Sequence, residues 1–248
     1  MIAGNREAAL VESDINGDGY MDIVLANTLI EAQATEVVGG RILSFFVKQT
    51  GNDELYSAYS QLPKVGQPKD WVEYGGINDW FPEGWPGEVW GNKWQYEVKE
   101  RGPEEVSVKM WAETENKLYI ERTMTLRADS SSLELIYKIK NNSDKEQGFI
   151  WANHPDLGCG PSDATEENQV VIPVKGKGLV TQDYGKSMSK TEYIPDGDWI
   201  LGYDKASNEY FMQEFDRNLV DKIGVWEGSG FYTMELIFKQ RSLRPQEE

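Results

Sequence analysis

The stretch 133–141 reads LELIYKIKN, and apolar and polar side chains alternate along most of it. Successive side chains of a β-strand point to opposite faces, so this alternation is typical of a strand with one buried face. The stretch 117–127 alternates in the same way, and turn-forming residues at 129–131 separate the two. Together they predict an antiparallel hairpin in a half-buried sheet.

Strand-like runs recur along the rest of the chain. They cover 22–30, 41–48, 92–100, 106–110, 146–152, 168–174, 208–216, 219–226 and 230–239. No apolar stripe of helical spacing is longer than about two turns, and no glycine-rich phosphate loop precedes a helix. Many strands joined by short turns predict an all-β sandwich or barrel, and the length fits one domain over 1–248.

The composition excludes several classes of function. The 248 residues carry 25 Lys and Arg against 42 Asp and Glu, a formal net charge of −17. Nucleic acid and anionic membranes need a basic surface, so neither is an expected partner. A single cysteine, Cys159, excludes an internal disulfide, and a single histidine, His154, excludes a His-rich metal centre. We also expect no membrane span, no signal peptide and no organic cofactor.

The stretch 14–22 reads DINGDGYMD, which has the oxygen spacing of a calcium loop. The ligands would be four side chains and one backbone carbonyl: Asp14, Asn16, Asp18, Asp22 and the carbonyl of Tyr20. Locally it resembles the calcium loops of dockerin and of integrin-type propeller repeats, although Leu25 at position 12 excludes a full EF-hand. The alternative is a hairpin turn in which these side chains accept backbone N–H groups. We predict a structural Ca²⁺ ion.

Aromatic residues crowd into the stretch 57–93, which we predict to be a long irregular loop with a functional role. Five of the nine tryptophans lie within 71–94: Trp71, Trp80, Trp85, Trp90 and Trp94. Indole faces stack on the C–H groups of sugar rings, and nearby carboxylates and amides bind hydroxyl groups. Aromatic rings also fill cores, so we expect about half of these rings to belong to the hydrophobic core.

Two further residues are candidates for chemistry. His154 follows Asn153 at the end of a predicted strand, where it is either a structural hydrogen-bonding group or a catalyst. Glu235 lies inside an apolar strand, and buried carboxylates are rare unless they are paired or functional. It would otherwise lie on a solvated face. No G-x-S-x-G nucleophile motif is present.

In their order along the chain, these segments resemble the galactose mutarotase-like (aldose 1-epimerase) superfamily. The resemblance covers about 23–245 and rests on VGGRI at 38–42, YGG at 74–76, WFP at 80–82, the strands 119–126 and 133–141, NHP at 153–155, Glu235, and LRP at 243–245. It implies a large antiparallel β-sandwich, the galactose mutarotase-like supersandwich, with a sugar-binding cleft on one curved sheet.

The resemblance also implies roles for individual residues. His154 would protonate the ring oxygen of an aldose, and Glu235 would remove the anomeric hydroxyl proton. The implied sugar-binding residues are Arg41, Tyr74, Asp79, Trp80, Trp85 and Asn153. Many active members of the superfamily carry a second histidine upstream, which this chain lacks.

We therefore predict a carbohydrate-binding protein that holds a mono- or oligosaccharide in a Trp-lined cleft. One alternative is an aldose 1-epimerase or other carbohydrate-processing enzyme that uses His154 and Glu235. Another is a calcium-stabilised structural domain of a larger extracellular protein. The acidity and the calcium-type loop favour an extracellular or periplasmic location over a cytoplasmic one, and the sequence leaves the oligomeric state open.

Overall fold

The computed structural model describes residues 7–56, 74–84, 86–160, 163–185 and 190–248. Within these ranges the chain forms strands β1 to β21 and one short 3-10 helix, Glu88–Gly91. None of the described segments is a helix of the length and apolarity needed to cross a membrane. The predicted all-β class is confirmed.

The strands form one large antiparallel sheet and three smaller ones. The large sheet runs in the spatial order β1 (Ala9–Ser13), β2 (Asp22–Ala26), β3 (Ile30–Thr35), β4 (Ile42–Val47), β6 (Gly76–Trp80), β12 (Ala152–Leu157), β20 (Glu235–Phe238), β18 (Val220–Val225) and β15 (Thr191–Tyr193). Two short strands extend it: β5 (Asn52–Asp53) pairs with β4, and β19 (Tyr232–Thr233) pairs with β12.

Two four-stranded sheets and a two-stranded ribbon complete the fold. The first sheet contains β10 (Leu133–Asn141), β9 (Leu118–Arg127), β8 (Glu105–Glu113) and β7 (Gln95–Arg101). The second contains β14 (Gly178–Asp183), β13 (Asn168–Val174), β16 (Trp199–Asp204) and β17 (Glu209–Glu214). The ribbon pairs β11 (Gln147–Phe149) with β21 (Arg241–Leu243). The predicted hairpin is present as β9 and β10, with Leu133 opposite Leu126.

One face of the large sheet, which carries Ile23, Leu25 and Leu157 and is called the core face here, is buried. These side chains belong to the same apolar cluster as Val108 of β8 and residues of the second four-stranded sheet. Between β4 and β17, the rings of Phe45 and Phe211 meet edge to face at 5.3 Å. Burial of each large apolar side chain contributes about 1.5–3 kcal/mol to folding. The opposite face of the large sheet does not pack against this core, so it is available for functional side chains.

The central strands β6 and β12 differ from the sequence-based prediction. The stretch 57–93 was expected to be irregular, yet β6 lies within it and pairs with both β4 and β12. Likewise, His154 lies in the middle of β12 and not at a strand end. Every residue of both strands is buried, so neither shows the polar–apolar alternation of a half-buried strand.

Glycine at position 76 allows β6 to lie close to β4. A Cβ atom on Gly76 would lie 2.3 Å from the carbonyl oxygen of Ile42, and the residue has a φ of 75°. Both conditions exclude a larger side chain. The path of β6, and hence the position of Trp80, depends on this contact.

Candidate functional site

The strand pairing of the central sheet brings His154 and Glu235 to the same face, called the site face here. His154 pairs with Asn78 of β6, and Asp156 pairs with Thr233 of β19. Directly paired residues point to the same side, as do residues two apart along a strand. The site face therefore carries Asn78, Trp80, His154, Asp156, Thr233 and Glu235.

Four charged groups form a continuous series on this face, called the charged row here. Nε2 of His154 lies 3.2 Å from Oδ1 of Asp156, and Nδ1 lies 3.3 Å from Oε1 of Glu235. At the other end, Nζ of Lys190 lies 2.7 Å from Oε2 of Glu235. The charges alternate along the row, from Asp156 through His154 and Glu235 to Lys190.

The groups of the row interact mainly through their charges and less through well-aligned hydrogen bonds. Among the described groups, neither Nδ1 of His154 nor the carboxylate oxygens of Asp156 have a partner with good hydrogen-bond alignment. Glu235 accepts one conventional hydrogen bond, from the hydroxyl of Thr233 at 3.3 Å. Because His154, Asp156 and Glu235 are buried, water screens the charges of these three groups weakly.

Burial and charge act in opposite directions on the pKa values of the row. Burial alone would lower the pKa of His154, but Asp156 and Glu235 outweigh it and raise that pKa to about 9. Burial would raise the pKa of Glu235, but His154 and Lys190 hold it below its ordinary value. At neutral pH the row therefore contains an imidazolium that can donate a proton and a carboxylate that can accept one.

Aromatic rings lie beside the charged row. Trp80 stacks on the imidazole of His154 with ring centroids 4.4 Å apart, and Nζ of Lys190 lies 5.6 Å from the centroid of Trp80. Trp80 also belongs to an apolar cluster on this side of the sheet with Val37, Val38, Tyr74, Trp90 and Ala152. Trp80 is 6 % exposed, so only a small part of it is accessible to a ligand.

Arg41 lies within the same aromatic group. Its guanidinium carbon is 5.5 Å from the centroid of Tyr74 and 5.3 Å from that of Trp90, and these two rings stack on each other at 5.6 Å. The side chain is buried and donates to the carbonyl oxygen of Gly75 at 2.6 Å. The structure thus brings three of the predicted sugar-binding residues, Arg41, Tyr74 and Trp80, to the site face.

Asp79 and Asn153, two further predicted sugar-binding residues, are not brought together with His154. They point to the core face, where Oδ2 of Asp79 forms a fully buried ion pair with Arg122 at 3.0 Å. Asp79 also accepts hydrogen bonds from Trp151 at 3.0 Å and from Tyr137 at 3.2 Å, and the amide of Asn153 lies 3.4 Å away. This network links the large sheet to β9 and β10.

The remaining tryptophans of the aromatic stretch divide between several places. Trp94 is fully buried in the main core and donates to the carbonyl oxygen of Val89 at 3.3 Å. Trp90 lies in the site-face cluster beside Tyr74. Trp85, which was predicted to bind sugar, and Trp71 lie outside the described residues.

The predicted calcium loop forms the hairpin between β1 and β2, with Ser13 paired to Asp22. The two carboxylate oxygens of Asp14 accept the backbone N–H groups of Asp18 and Gly19, each at 3.0 Å. Asn16 accepts the N–H of Asp18 at 2.9 Å, and Asp18 accepts that of Tyr20 at 2.8 Å. In the described parts of the chain, no three His, Cys, Asp or Glu side chains converge as a metal site would require. The calcium ion stays a prediction.

Comparison with solved structures identifies proteins with the same architecture. A putative aldose 1-epimerase from Klebsiella pneumoniae matches 99 % of this chain and 86 % of its own with a TM-score of 0.70 at 12 % identity. A galactose mutarotase-like protein from Clostridium acetobutylicum matches 98 % and 96 % with a TM-score of 0.65, also at 12 % identity.

The chain has a galactose mutarotase-like fold.

Longer proteins contain this fold as well. A TPR-domain containing protein from Parabacteroides distasonis matches 92 % of this chain with a TM-score of 0.69 at 16 % identity, and the match spans 45 % of that protein's length. No protein-family model matches the sequence, and no curated protein is significantly similar to it. At these identities the likeness establishes the galactose mutarotase-like architecture, and the chemistry has to be argued from the site.

Sequence reasoning missed two members of the charged row. Asp156 lies two residues after His154, and that spacing on a strand would have placed both on one face. Lys190 has no comparable signal, because it precedes β15 and reaches Glu235 only through the packing of β18 beside β20.

Proposed function

We propose that this protein binds a mono- or oligosaccharide on the site face, beside Trp80 and the charged row. The convergence of Trp80, His154 and Glu235 within contact distance carries this proposal. Sugar sites combine an aromatic surface for ring C–H groups with a few fixed polar groups for hydroxyls. Structural similarity to a putative aldose 1-epimerase and to galactose mutarotase-like proteins supports a sugar as the ligand.

Intrinsic tryptophan fluorescence tests the proposal, because Trp80 is part of the site. Titration with D-glucose, D-galactose, D-mannose and short oligosaccharides should quench or shift the emission saturably for at least one sugar. A Trp80→Leu variant should lose that response, whereas Trp199→Leu, on β16 of another sheet, should retain it. A flat response to every sugar, together with an empty glycan array, would refute sugar binding.

The second candidate function is aldose 1-epimerase activity, and the 3.3 Å contact between His154 and Glu235 favours it. Glu235 would take the anomeric hydroxyl proton as the bond between C1 and the ring oxygen breaks. His154 would give its proton to that ring oxygen, and return of both protons would close either anomer. For this, His154 has to turn one nitrogen from a carboxylate toward the sugar.

Polarimetry separates turnover from simple binding. Fresh α-D-glucose or α-D-galactose should reach rotational equilibrium faster with an epimerase than with buffer, and His154→Ala should abolish the acceleration. If the parent binds a sugar without accelerating its mutarotation, the protein is a binding protein and not an epimerase.

A further inference from the structure

We infer that Lys190 is the residue of the charged row that contacts the ligand directly, donating to a hydroxyl group of a neutral sugar. The inference rests on the proposed function and extends it to a residue outside the His154–Glu235 pair. Its support comes from the exposure of Lys190 at one end of the buried row, the N–H groups that remain on its ammonium group, and the space left by Gly224 beside it.

Three members of the row are buried, and the fourth, Lys190 at one end, is exposed. The side chain of Asp156 is fully buried, His154 is 6 % exposed and Glu235 is 2 % exposed. Lys190 is 36 % exposed and is the one member with a substantial solvent-facing surface. A ligand that approaches from solvent therefore meets the side chain of Lys190 before it meets any other charged side chain of the row.

His154 is enclosed on several sides. Each of its two ring nitrogens faces a carboxylate, and Trp80 covers one ring face. In this arrangement its main effect is to keep Glu235 ionised and in place. Glu235 in turn holds Lys190, so the buried part of the row positions the exposed lysine.

The ammonium group of Lys190 has donors to spare. It carries three N–H groups, and among the described residues the carboxylate of Glu235 is its one partner at hydrogen-bonding distance. Nζ also lies 5.6 Å from the ring centroid of Trp80. A sugar ring seated beside Trp80 would therefore place a hydroxyl within reach of the remaining N–H groups.

Gly224 on β18 makes room for this arrangement. It is paired with Glu235, and a Cβ atom at position 224 would lie 2.6 Å from Oε2 of Glu235 and 3.0 Å from Cε of Lys190. A side chain at this position would therefore displace the ends of Glu235 and Lys190. The absence of a side chain on Gly224 thus lets the lysine stem and the carboxylate lie side by side against the sheet.

The charges favour a neutral ligand. The row contains two carboxylates and two cations at neutral pH, so they balance locally, and the chain as a whole has a formal charge of −17. An acidic sugar would approach a protein of the same sign. A hydroxyl group needs only the donors that Lys190 offers.

Isothermal titration calorimetry tests the inference with the tightest-binding of D-glucose, D-galactose, D-mannose and N-acetyl-D-glucosamine, and with its monodeoxy analogues. The variants are Lys190→Met and Lys190→Arg. The matched control is Lys138→Met, since Lys138 forms a 2.7 Å ion pair with Glu248 and is 44 % exposed, but belongs to β10. Circular dichroism melting shows that each variant is folded.

Lys190→Met should weaken sugar binding about tenfold or more, the effect of one lost hydrogen bond from a charged donor. Lys190→Arg should retain most of the affinity, and Lys138→Met should match the parent. One monodeoxy analogue should bind the parent more weakly than the sugar does. Lys190→Met should not weaken its binding further, because this analogue lacks the hydroxyl group that Lys190 contacts.

Two results would overturn the assignment of Lys190 while leaving sugar binding intact. One is unchanged affinity in Lys190→Met. The other is a loss of affinity in Lys190→Met while each monodeoxy analogue still binds as much more weakly than the sugar as it does in the parent. That result would show that Lys190 acts through Glu235. A parent protein that binds none of the sugars would instead refute the proposed function, and the inference with it.

Discussion

Nδ1 of His154 lies 3.3 Å from Oε1 of Glu235, although one residue comes from β12 and the other from β20. Asp156 and Glu235 together raise the pKa of His154, and His154 in turn lowers the pKa of Glu235. His154 and Glu235 therefore titrate as a coupled pair. A substitution of one of the two residues should therefore change the pKa of the other.

Replacement of Gly224 should disturb the site without disturbing the core. In Gly224→Ala, the new methyl group would lie 2.6 Å from Oε2 of Glu235 and 3.0 Å from Cε of Lys190, so both side chains have to shift away from it. We expect weaker sugar binding, measured by calorimetry, from a protein that still folds. Gly148→Ala is the control, because a Cβ atom there meets only the carbonyl oxygen of Arg241, at 3.8 Å. Equal affinity in Gly224→Ala and the parent would contradict the packing argument.

The buried ion pair between Arg122 and Asp79 should matter for stability and not for ligand binding. Arg122→Met leaves the Asp79 carboxylate buried without its cation, which should lower the free energy of unfolding by about 3–5 kcal/mol. The double variant Arg122→Met/Asp79→Asn should recover part of the loss. Urea denaturation measures both, and a loss below about 1 kcal/mol in Arg122→Met would show that the pair is unimportant.

Asn153 provides the complementary test of the core face. Its amide lies near Asp79 and the hydroxyl of Tyr137, away from the charged row. Asn153→Ala should therefore keep the parent's sugar affinity while it lowers the melting temperature. A selective loss of affinity would instead support the sequence-based assignment of Asn153 to sugar binding.

Glu54 should make stability depend on pH. Burial, with a smaller contribution from the nearby charge of Glu209, raises the pKa of Glu54 to about 7. An acid whose pKa is raised by folding binds protons more tightly in the folded state, so stability is lost as pH rises from about 4.5 to 7. At 1.36 kcal/mol per pKa unit, the loss is about 3 kcal/mol.

Glu54→Gln should remove this part of the pH dependence. Denaturation of parent and variant between pH 4.5 and 7 should show a stability difference that grows with pH in favour of the variant. The exposed Glu104→Gln gives the baseline. A pH-independent difference between Glu54→Gln and the parent would mean that folding does not raise the pKa of Glu54.

The loop between β1 and β2 should bind calcium. Occupation of a site at about 100 times its Kd would stabilise the fold by about 2.7 kcal/mol, so millimolar Ca²⁺ should raise the melting temperature and a chelator should lower it. Asp18→Ala should abolish the response. Asp216→Ala is the control, since Asp216 accepts a turn N–H from Asn218 at 2.8 Å outside the loop. A parent protein that melts identically with calcium and with chelator would exclude the ion.

Half-buried strands were predictable from the sequence, and fully buried ones were not. β9 and β10 alternate because one face meets the core and the other meets water, so their positions follow from the pattern. In β6 and β12 both faces are covered, and the alternation that would have separated Asp79 from Asn78, or Asn153 from His154, is absent. The site face could not be told from the core face on those strands.

The residues of the site were only partly predictable from the sequence. An isolated histidine and an acid inside an apolar strand are conspicuous in sequence, and the structure brings them together. Lys190 and Gly224 are ordinary residues in an acidic, glycine-containing chain, and only the neighbouring positions of β18 and β20 give them a role.

The single histidine of the chain allows the most direct test of the site. NMR of the His154 ring resonances, followed through a pH titration with and without the tightest-binding sugar, reads one residue without ambiguity. We predict a midpoint near pH 9, because Asp156 and Glu235 stabilise the imidazolium, a lower midpoint in Glu235→Gln, and ring shifts on addition of sugar. A midpoint near the ordinary value of about 6.5, with resonances that ignore every sugar, would contradict a charged sugar site at His154.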